Sequence, residues 1–408
     1  MTRHLLRLMW NRKRRNVLLC IEMFFSFVVV AAIAIMAVNY ASNWFQGIGY
    51  RIADVWNVET VPPGRTDLGE FPEGTGRTFG DIVAAVRTLP GVQAVAAVAI
   101  APYSNSEART GIGLKDGRRP QISLNGASDD LPTVLNLEIV EGRWFGPRDA
   151  SETEYPIIIN QRLARDVFGD GGAAGHLLPE VPPPLETQSP QRPWRPQRVV
   201  GVVREFRKGG EFETPRNYMI GRIDLSQEQF GNNLLVRTAP NMRADFEEQL
   251  QKTAQSVARE WSLSVRRLED DRRVSNGLYL ALLLVPGVIA VFVLLMVGLG
   301  LMGVLWQNVT ERTREFGLRR AAGASVDAVR RQVLVELLVL TSFAIVPGVL
   351  IGLQFPMLPI PDYVVPGRVI IAGVAVSAVT IYLLVLACGW YPSRMATAIR
   401  PAEALHYE

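Results

Sequence analysis

The sequence predicts an integral membrane protein with four transmembrane α-helices and one large extracytoplasmic α+β domain inserted between helices 1 and 2. Three observations predict this fold class. Four apolar runs each have the length needed to cross a bilayer. The arginines cluster beside those runs, on one side of the implied membrane. Residues 41–276 separate the first run from the second, far too many for a connecting loop.

The first run, 17–38, lies in a span expected over 17–40. It is longer than the apolar core of a signal peptide, and no Ala-x-Ala site ends it, so it reads as a retained anchor. Glu22 near its cytoplasmic end reads as a carboxylate that snorkels to the interface. The second span is expected over 277–306, the third over 332–355 and the fourth over 369–391. Pro286 and Pro347 lie inside the second and third, as candidate kinks or hinges. The flanking charges set the orientation. Residues 1–16 carry Arg3, Arg7, Arg12, Lys13, Arg14 and Arg15, the loop 307–331 is Arg-rich, and the tail 392–408 carries Arg394 and Arg400. Between spans three and four only Arg368 is basic. The positive-inside rule then puts both termini and the Arg-rich loop in the cytoplasm and the inserted domain outside.

Composition agrees with a segregated chain. Hydrophobic residues make up 48% of the 408, while mean hydropathy is only +0.14. The net charge of +4 is accounted for by topology signals, so nucleic acid is not an expected partner and membrane lipids are. Both cysteines, Cys20 and Cys388, fall in apolar spans, which leaves the outer domain without a disulfide. Three histidines and two separated cysteines offer no metal site. His176, in a Gly-rich loop, reads as a surface side chain, and no hydrolase or metalloprotease motif accompanies it, so no catalytic residue is expected.

Within the outer domain, 79–89 has helical apolar spacing (Ile82, Val83, Val86, Leu89) and stops at Pro90-Gly91, before an apolar strand over 92–101. A strand over 234–237 precedes a helix over 243–260, whose Phe246, Leu250, Val257 and Trp261 share a face, and a strand over 262–268 leads back to the membrane. These two units predict a membrane-proximal α/β layer, about 50–105 and 230–270. A strand-rich subdomain is expected over about 110–225, with strands at 120–124, 137–141, 157–160, 198–203 and 218–222 and a short helix at 161–168. The proline-rich stretch 179–196 is expected to be an extended, exposed loop.

The most informative stretch joins the second and third spans: NVTERTREFGLRRAAGASVDAVRRQVLVELLVL, residues 308–340. Val309, Phe316 and Leu318 can face the membrane or bundle. Glu311, Arg312, Arg314, Glu315, Arg319 and Arg320 face water or a partner. Gly323 punctuates the segment, and Ala324-Ser325 opens a helix with Asp327 near its positive end. The physical reading is a short interfacial helix, a turn, and a helix that re-enters the bilayer.

Residues Thr310 to Ala324 closely resemble the T-E-R-T-R-E-I-G-I-R-R-A-x-G-A signature of the FtsX-like, MacB-like (type VII) ABC transporter permeases, with Glu336 in the following helix. The layout of one helix, a large outer domain and three helices is also that family's. Gly142-Arg143-Trp144-Phe145, Ile159-Asn160-Gln161-Arg162-Leu163-Ala164 and Val200-Gly201-Val202-Val203-Arg204-Glu205-Phe206 resemble phrases of its MacB-like periplasmic core domain. Tyr391-Pro392-Ser393-Arg394-Met395-Ala396 with Pro401-Ala402-Glu403-Ala404-Leu405 resembles its ending. The proline-rich stretch looks like an insertion.

The resemblance implies a non-catalytic permease subunit of a mechanotransmission transporter in the bacterial inner membrane. Glu311, Arg312, Arg314, Glu315, Arg319 and Arg320 would form the element that docks into an ABC ATPase. No G-x-x-x-x-G-K-[ST] phosphate loop occurs in the sequence, so ATP and Mg would be bound by a separate ATPase subunit and this chain would hold no cofactor. A second permease copy or paralogue, a periplasmic adaptor and an outer-membrane channel are the further partners implied, with export or efflux as the activity. Lipoprotein release and control of cell-wall hydrolases remain open within the family. A membrane-anchored sensor or binding module is the reading from outside it.

Overall fold

The structure, a computed structural model, describes residues 13–64, 72–149, 153–182, 194–240, 242, 244–312, 318, 322–354 and 365–398. Contacts divide the chain into two compact units, Met1–Ser42 with Leu280–Glu408, and Asn43–Tyr279.

The first unit is built on long apolar helices. Among the described residues, four are long and apolar enough to cross a membrane: α1 (Lys13–Trp44), α6 (Leu268–Glu311), α7 (Val326–Gln354) and α8 (Gly367–Ala398). Pro286 lies inside α6 and Pro347 inside α7, and each helix continues through its proline as one element. The core of this unit joins all four helices through Met23, Phe27, Leu301, Leu337, Ile381 and Val385. Without a hydrophobic drive between helices in lipid, close approach depends on small residues. At Gly373 of α8 a Cβ would stand 2.6 Å from the Ile35 Cα of α1, so any side chain there would force the two helices apart. Polar groups in this core are satisfied locally, as where Thr341 Oγ1 donates to Leu337 O at 2.8 Å, or across helices, as where the Ser342 and Tyr382 hydroxyls meet at 2.8 Å. The half-buried Glu22 carboxylate lies against α6, with Oε1 3.1 Å from where a Gly300 Cβ would be.

The second unit is organised by one sheet of ten strands among the described residues: β1 (Val55–Val61), β2 (Val92–Val98), β3 (Ala108–Gly111), β4 (Gln121–Ala127), β5 (Ile139–Gly142), β6 (Tyr155–Asn160), β7 (Gln197–Val203), β8 (Tyr218–Arg222), β9 (Asn233–Thr238) and β10 (Ser262–Arg267). Its order is β10-β1-β9-β2-β4-β8-β6-β7-β5, with β3 beside β4. The first four strands, with α2 (Thr75–Arg87) between β1 and β2 and α5 (Ala244–Val257) between β9 and β10, form two interleaved β-α-β units. This is the ferredoxin-like arrangement, with the other strands inserted between β2 and β9. The apolar faces read from the sequence pack as expected. Phe79, Ile82, Val83 and Val86 of α2, with Phe246 and Leu250 of α5, cover Trp56, Val58, Leu234 and Val236 of the sheet.

The remaining strands continue the sheet, with α3 (Leu131–Leu135) and α4 (Gln161–Phe168). They do not form a separate sheet. β2 and β4 are paired through Val98↔Ala127, and one apolar cluster draws from both halves, from Val55, Val98 and Leu235 on one side and Leu131, Trp144 and Tyr218 on the other. The recognisable phrases of the sequence sit at points of construction. Trp144 and Phe145 enter this cluster, and Asn160 is buried, where its Oδ1 accepts Leu163 N to cap α4 and its Nδ2 donates to Arg216 O at 2.7 Å.

The proline-rich stretch is not wholly extended and exposed. Lys115 N donates to Pro179 O at 2.9 Å, Val181 N donates to Gly113 O at 2.7 Å, and Glu180 is 8% exposed. Proline removes its own donor, but the residues between prolines keep theirs and can still pair. Residues 183–193 lie outside the described residues. Burial pushes the Glu180 carboxyl from 4.5 up to about 7, against a lowering by the Trp194 indole. A folded-state value above the unfolded one means that stability is fully present below pH 4.5 and is lost as pH rises through about 7. At about 1.4 kcal/mol per pK unit the loss is about 3.5 kcal/mol at most. Glu180→Gln is therefore expected to remove this pH dependence and to raise amide protection of 177–182 at pH 8. Hydrogen exchange of the full-length protein at pH 5 and pH 8 measures it, and unchanged pH dependence in the variant would remove Glu180 as its source.

Candidate functional site

The loop between α6 and α7 is held at both ends. Val309 at the end of α6 is buried with Val329 and Val333 of α7. Ser325 caps α7, its Oγ accepting Ala328 N at 3.2 Å, and Gly323 adopts φ +92, where a side chain would be strained. Glu311, the last residue of α6, is exposed. Arg312 turns inward instead. Its guanidinium lies 2.7 Å from Oε2 of Glu336 on α7, and its side chain is 13% exposed. Gln332 Nε2 donates to the other Glu336 oxygen at 3.0 Å. Arg330 lies 3.5 Å over the Trp390 ring, tying α7 to α8. Leu318, expected to face membrane or bundle, is 53% exposed. Arg314, Glu315, Arg319, Arg320 and Phe316 lie outside the described residues. Arg312 and Glu336 thus form a brace at the base of the loop, with Glu311 exposed beside it.

A second set of residues, which the sequence reading did not single out, lies where α1 ends and α6 begins in the outer unit. α1 runs on to Trp44, and its final turn carries buried Asn43. The segment 206–214 after β7 closes over it. Arg207 is 1% exposed, and its guanidinium donates to four carbonyl oxygens: Asn43 and Gln46, both at 2.9 Å, Glu211 at 2.5 Å, and Glu213. Burial pushes its pKa down while the carboxylates of Glu213 and Glu205 push it back up. Asn43 Nδ2 returns a bond to Phe212 O at 3.2 Å. On the other side, Glu211 receives Arg272 of α6 at 2.7 Å and Asn276 Nδ2 at 3.3 Å. The Phe212 ring lies between Trp44 (5.0 Å) and Tyr279 (5.8 Å). The segment turns tightly enough to do this at Gly210, whose φ is +88 and where a Cβ would stand 2.3 Å from the Tyr103 ring. Arg207 therefore clamps the Asn43 carbonyl in the last turn of α1 and the Gln46 carbonyl just beyond it, where a cation also suits the helix dipole, and Glu211 grips the first turns of α6. The available sequence signal was Arg207-Lys208-Gly209-Gly210-Glu211, a basic pair at a flexible turn next to an acid.

The described residues contain no cluster of His, Cys, Asp and Glu that could hold a metal ion. His176 is exposed, with its ring 6.2 Å from that of Phe168.

Two family models match the chain: the MacB-like periplasmic core domain over residues 24–253, and the FtsX-like permease C-terminal region over 287–401. An uncharacterized ABC transporter permease of Bacillus subtilis, YvrN, is 25% identical over 418 aligned residues, covering 98% of this chain and 97% of that one. The macrolide export ATP-binding/permease protein MacB 1/2 of Paracoccus denitrificans is 25% identical over 396. That match covers 93% of this chain, which spans 56% of the MacB protein's length. The crystal structure of the periplasmic region of MacB from Actinobacillus actinomycetemcomitans aligns with a TM-score of 0.37 at 12% identity, over 57% of this chain and 96% of that one.

Proposed function

The chain belongs to the family of ABC transporter permeases with an FtsX-like C-terminal region and a MacB-like periplasmic core domain, and from that premise we propose that it passes the work of a separate ATPase to its outer domain, driving export. Members of the family work with ABC ATPases as transporter components, and four apolar helices with a periplasmic domain make this an inner-membrane protein. In the proposed arrangement both termini and the loop after α6 lie in the cytoplasm. Glu311, Arg314, Glu315, Arg319 and Arg320 meet the ATPase, and Arg312 holds the loop to α7 through Glu336. ATP and Mg are bound by the partner, and the chain itself is non-catalytic.

The observation that carries this reading is α6. It is one helix of 44 residues, about 66 Å at 1.5 Å per residue, beginning directly after β10 and ending at the loop. A continuous helix couples its ends more stiffly than a loop would, with Pro286, where one backbone donor is missing, as the place it would bend. Its apolar side chains at Leu284, Val288, Val291 and Leu295 are exposed in this single chain, which fits both lipid and a second permease copy. Exported cargo belongs to the same proposal, on the likeness to a macrolide export ATP-binding/permease protein, with a periplasmic adaptor and an outer-membrane channel as its proposed further partners.

The test is co-purification of the tagged chain with ATPase subunits from its own cells, wild type against Glu315→Arg with Arg319→Glu. Wild type is expected to bring down an ABC ATPase and the double variant to lose it at equal yield of folded protein. Equal capture by both would place the docking surface elsewhere.

A further inference from the structure

A cleft of about 410 Å³ opens within the outer domain, on the face of its sheet that α2 and α5 leave uncovered. Strand alternation explains the polar floor: Trp56 and Val58 point to the helices, so Asn57 and Glu59 point into the cleft. Asp271 and Val274, on the first turns of α6, form one wall, and the loop after β2, carrying Tyr103, forms another. Three observations say what such a cleft would take. Its charged groups are two carboxylates, Glu59 and Asp271, against one guanidinium, Arg266, which already contacts both at 3.0 and 3.3 Å. Asn57 is 4% exposed, hydrogen-bonds to Asp271, and has an Oδ1 with no partner. The chemistry left unsatisfied is therefore that of acceptors and negative charge. Beside them Val274 is 75% and Leu278 53% exposed, an apolar strip along the rim.

We propose that this cleft binds a primary ammonium ion carried on a short apolar body, with the ammonium received by Glu59 and Asp271 and the hydrocarbon part along Val274 and Leu278. The site joins the junction clamp. Tyr103 donates to Glu211 Oε2 at 3.4 Å, and Asp271 adjoins Arg272, which Glu211 holds. A bound ligand would hold the first turns of α6 against the sheet, so occupancy and the set of the clamp are one equilibrium. This consequence rests on the transport reading, whereas the binding itself does not.

The experiment uses the full chain in phosphatidylcholine nanodiscs, without ATPase, titrated calorimetrically with n-pentylamine, 1-pentanol and pentanoate. Pentylammonium is expected to bind saturably and at least about tenfold more tightly than the alcohol or the acid. Glu59→Gln with Asp271→Asn is expected to weaken it by a similar factor. Val274→Trp, at an exposed position that leaves the fold intact, is expected to block it. Phosphatidylethanolamine nanodiscs then identify the source. Masked binding means that a lipid headgroup supplies the ammonium, and unchanged binding means that a soluble amine does. Pentanoate or pentanol binding as tightly as the amine, or Val274→Trp leaving it unchanged, would overturn the proposal. Neither result depends on ATPase capture, so it can fail while the permease reading stands, and the reverse.

Discussion

Arg207→Met is expected to release the segment 206–214 from the last turn of α1 while both compact units stay folded. The substitution leaves four carbonyl oxygens without their charged donor in a site that admits almost no water. Removing one side of a buried charge-assisted network costs about 3–5 kcal/mol, a large share of the stability of any local segment. Because the loss is confined to 206–214 and the last turn of α1, it should appear as local opening. Hydrogen exchange of 43–46 and 206–214 is expected to rise by several orders of magnitude, while β6 and β9 keep wild-type protection. Arg207→Lys is expected to recover only part of this, since an ammonium cannot reproduce the planar fork that reaches two carbonyls with each terminal nitrogen. In a complex with ATPase, Arg207→Met should hydrolyse ATP and export little. Wild-type exchange at 206–214 in the variant would mean that the clamp is not what holds this segment to the last turn of α1.

The second large effect is expected at the Arg312–Glu336 brace. Either reversal, Arg312→Glu or Glu336→Arg, places like charges about 3 Å apart at side chains that are 13% and 23% exposed. The base of the loop should then leave α7, and ATPase stimulated by the permease should fall about tenfold or more. The double exchange, Arg312→Glu with Glu336→Arg, is expected to restore most of it, because the pair is reformed with opposite polarity. Non-additivity in that cycle separates a brace from two independent contacts. Additive losses would show that each residue meets the ATPase on its own.

How much of this was legible in the sequence follows from where each signal lies. The membrane helices announce themselves, because each is a long apolar run with at most one charged residue, Glu22 in the first and Glu336 in the third, and needs no other segment to define it. The β-α-β units were legible from the apolar faces of α2 and α5 for the same local reason. β1 was not, although it lies inside the sheet, because Asn57 and Glu59 interrupt its apolar pattern; they face the cleft rather than the core. α1 was expected to end near residue 40, since hydropathy stops there, but the helix continues to Trp44, with the Asn43 carbonyl of its last turn accepting from Arg207. That bond joins residues 164 apart in sequence, and no window along the chain contains both. Arg312 carries a similar lesson. Its neighbours gave it a place on a charged outer face, while a glutamate 24 residues on turned it inward. The single sheet linking the two parts of the outer domain was equally hidden, because β2 and β4 meet through Val98 and Ala127.

In the proposed mechanism, nucleotide-driven events at the loop after α6 reach the outer domain through α1 and α6. Hydrogen exchange on the assembled permease–ATPase complex tests it most directly, comparing the nucleotide-free and the ATP-vanadate-trapped states. A change in protection at 206–214 and 268–276 is expected on trapping, and it should be lost in Arg207→Met although trapping still occurs. Identical exchange at both segments in the two states, in a complex that turns over ATP, would contradict it.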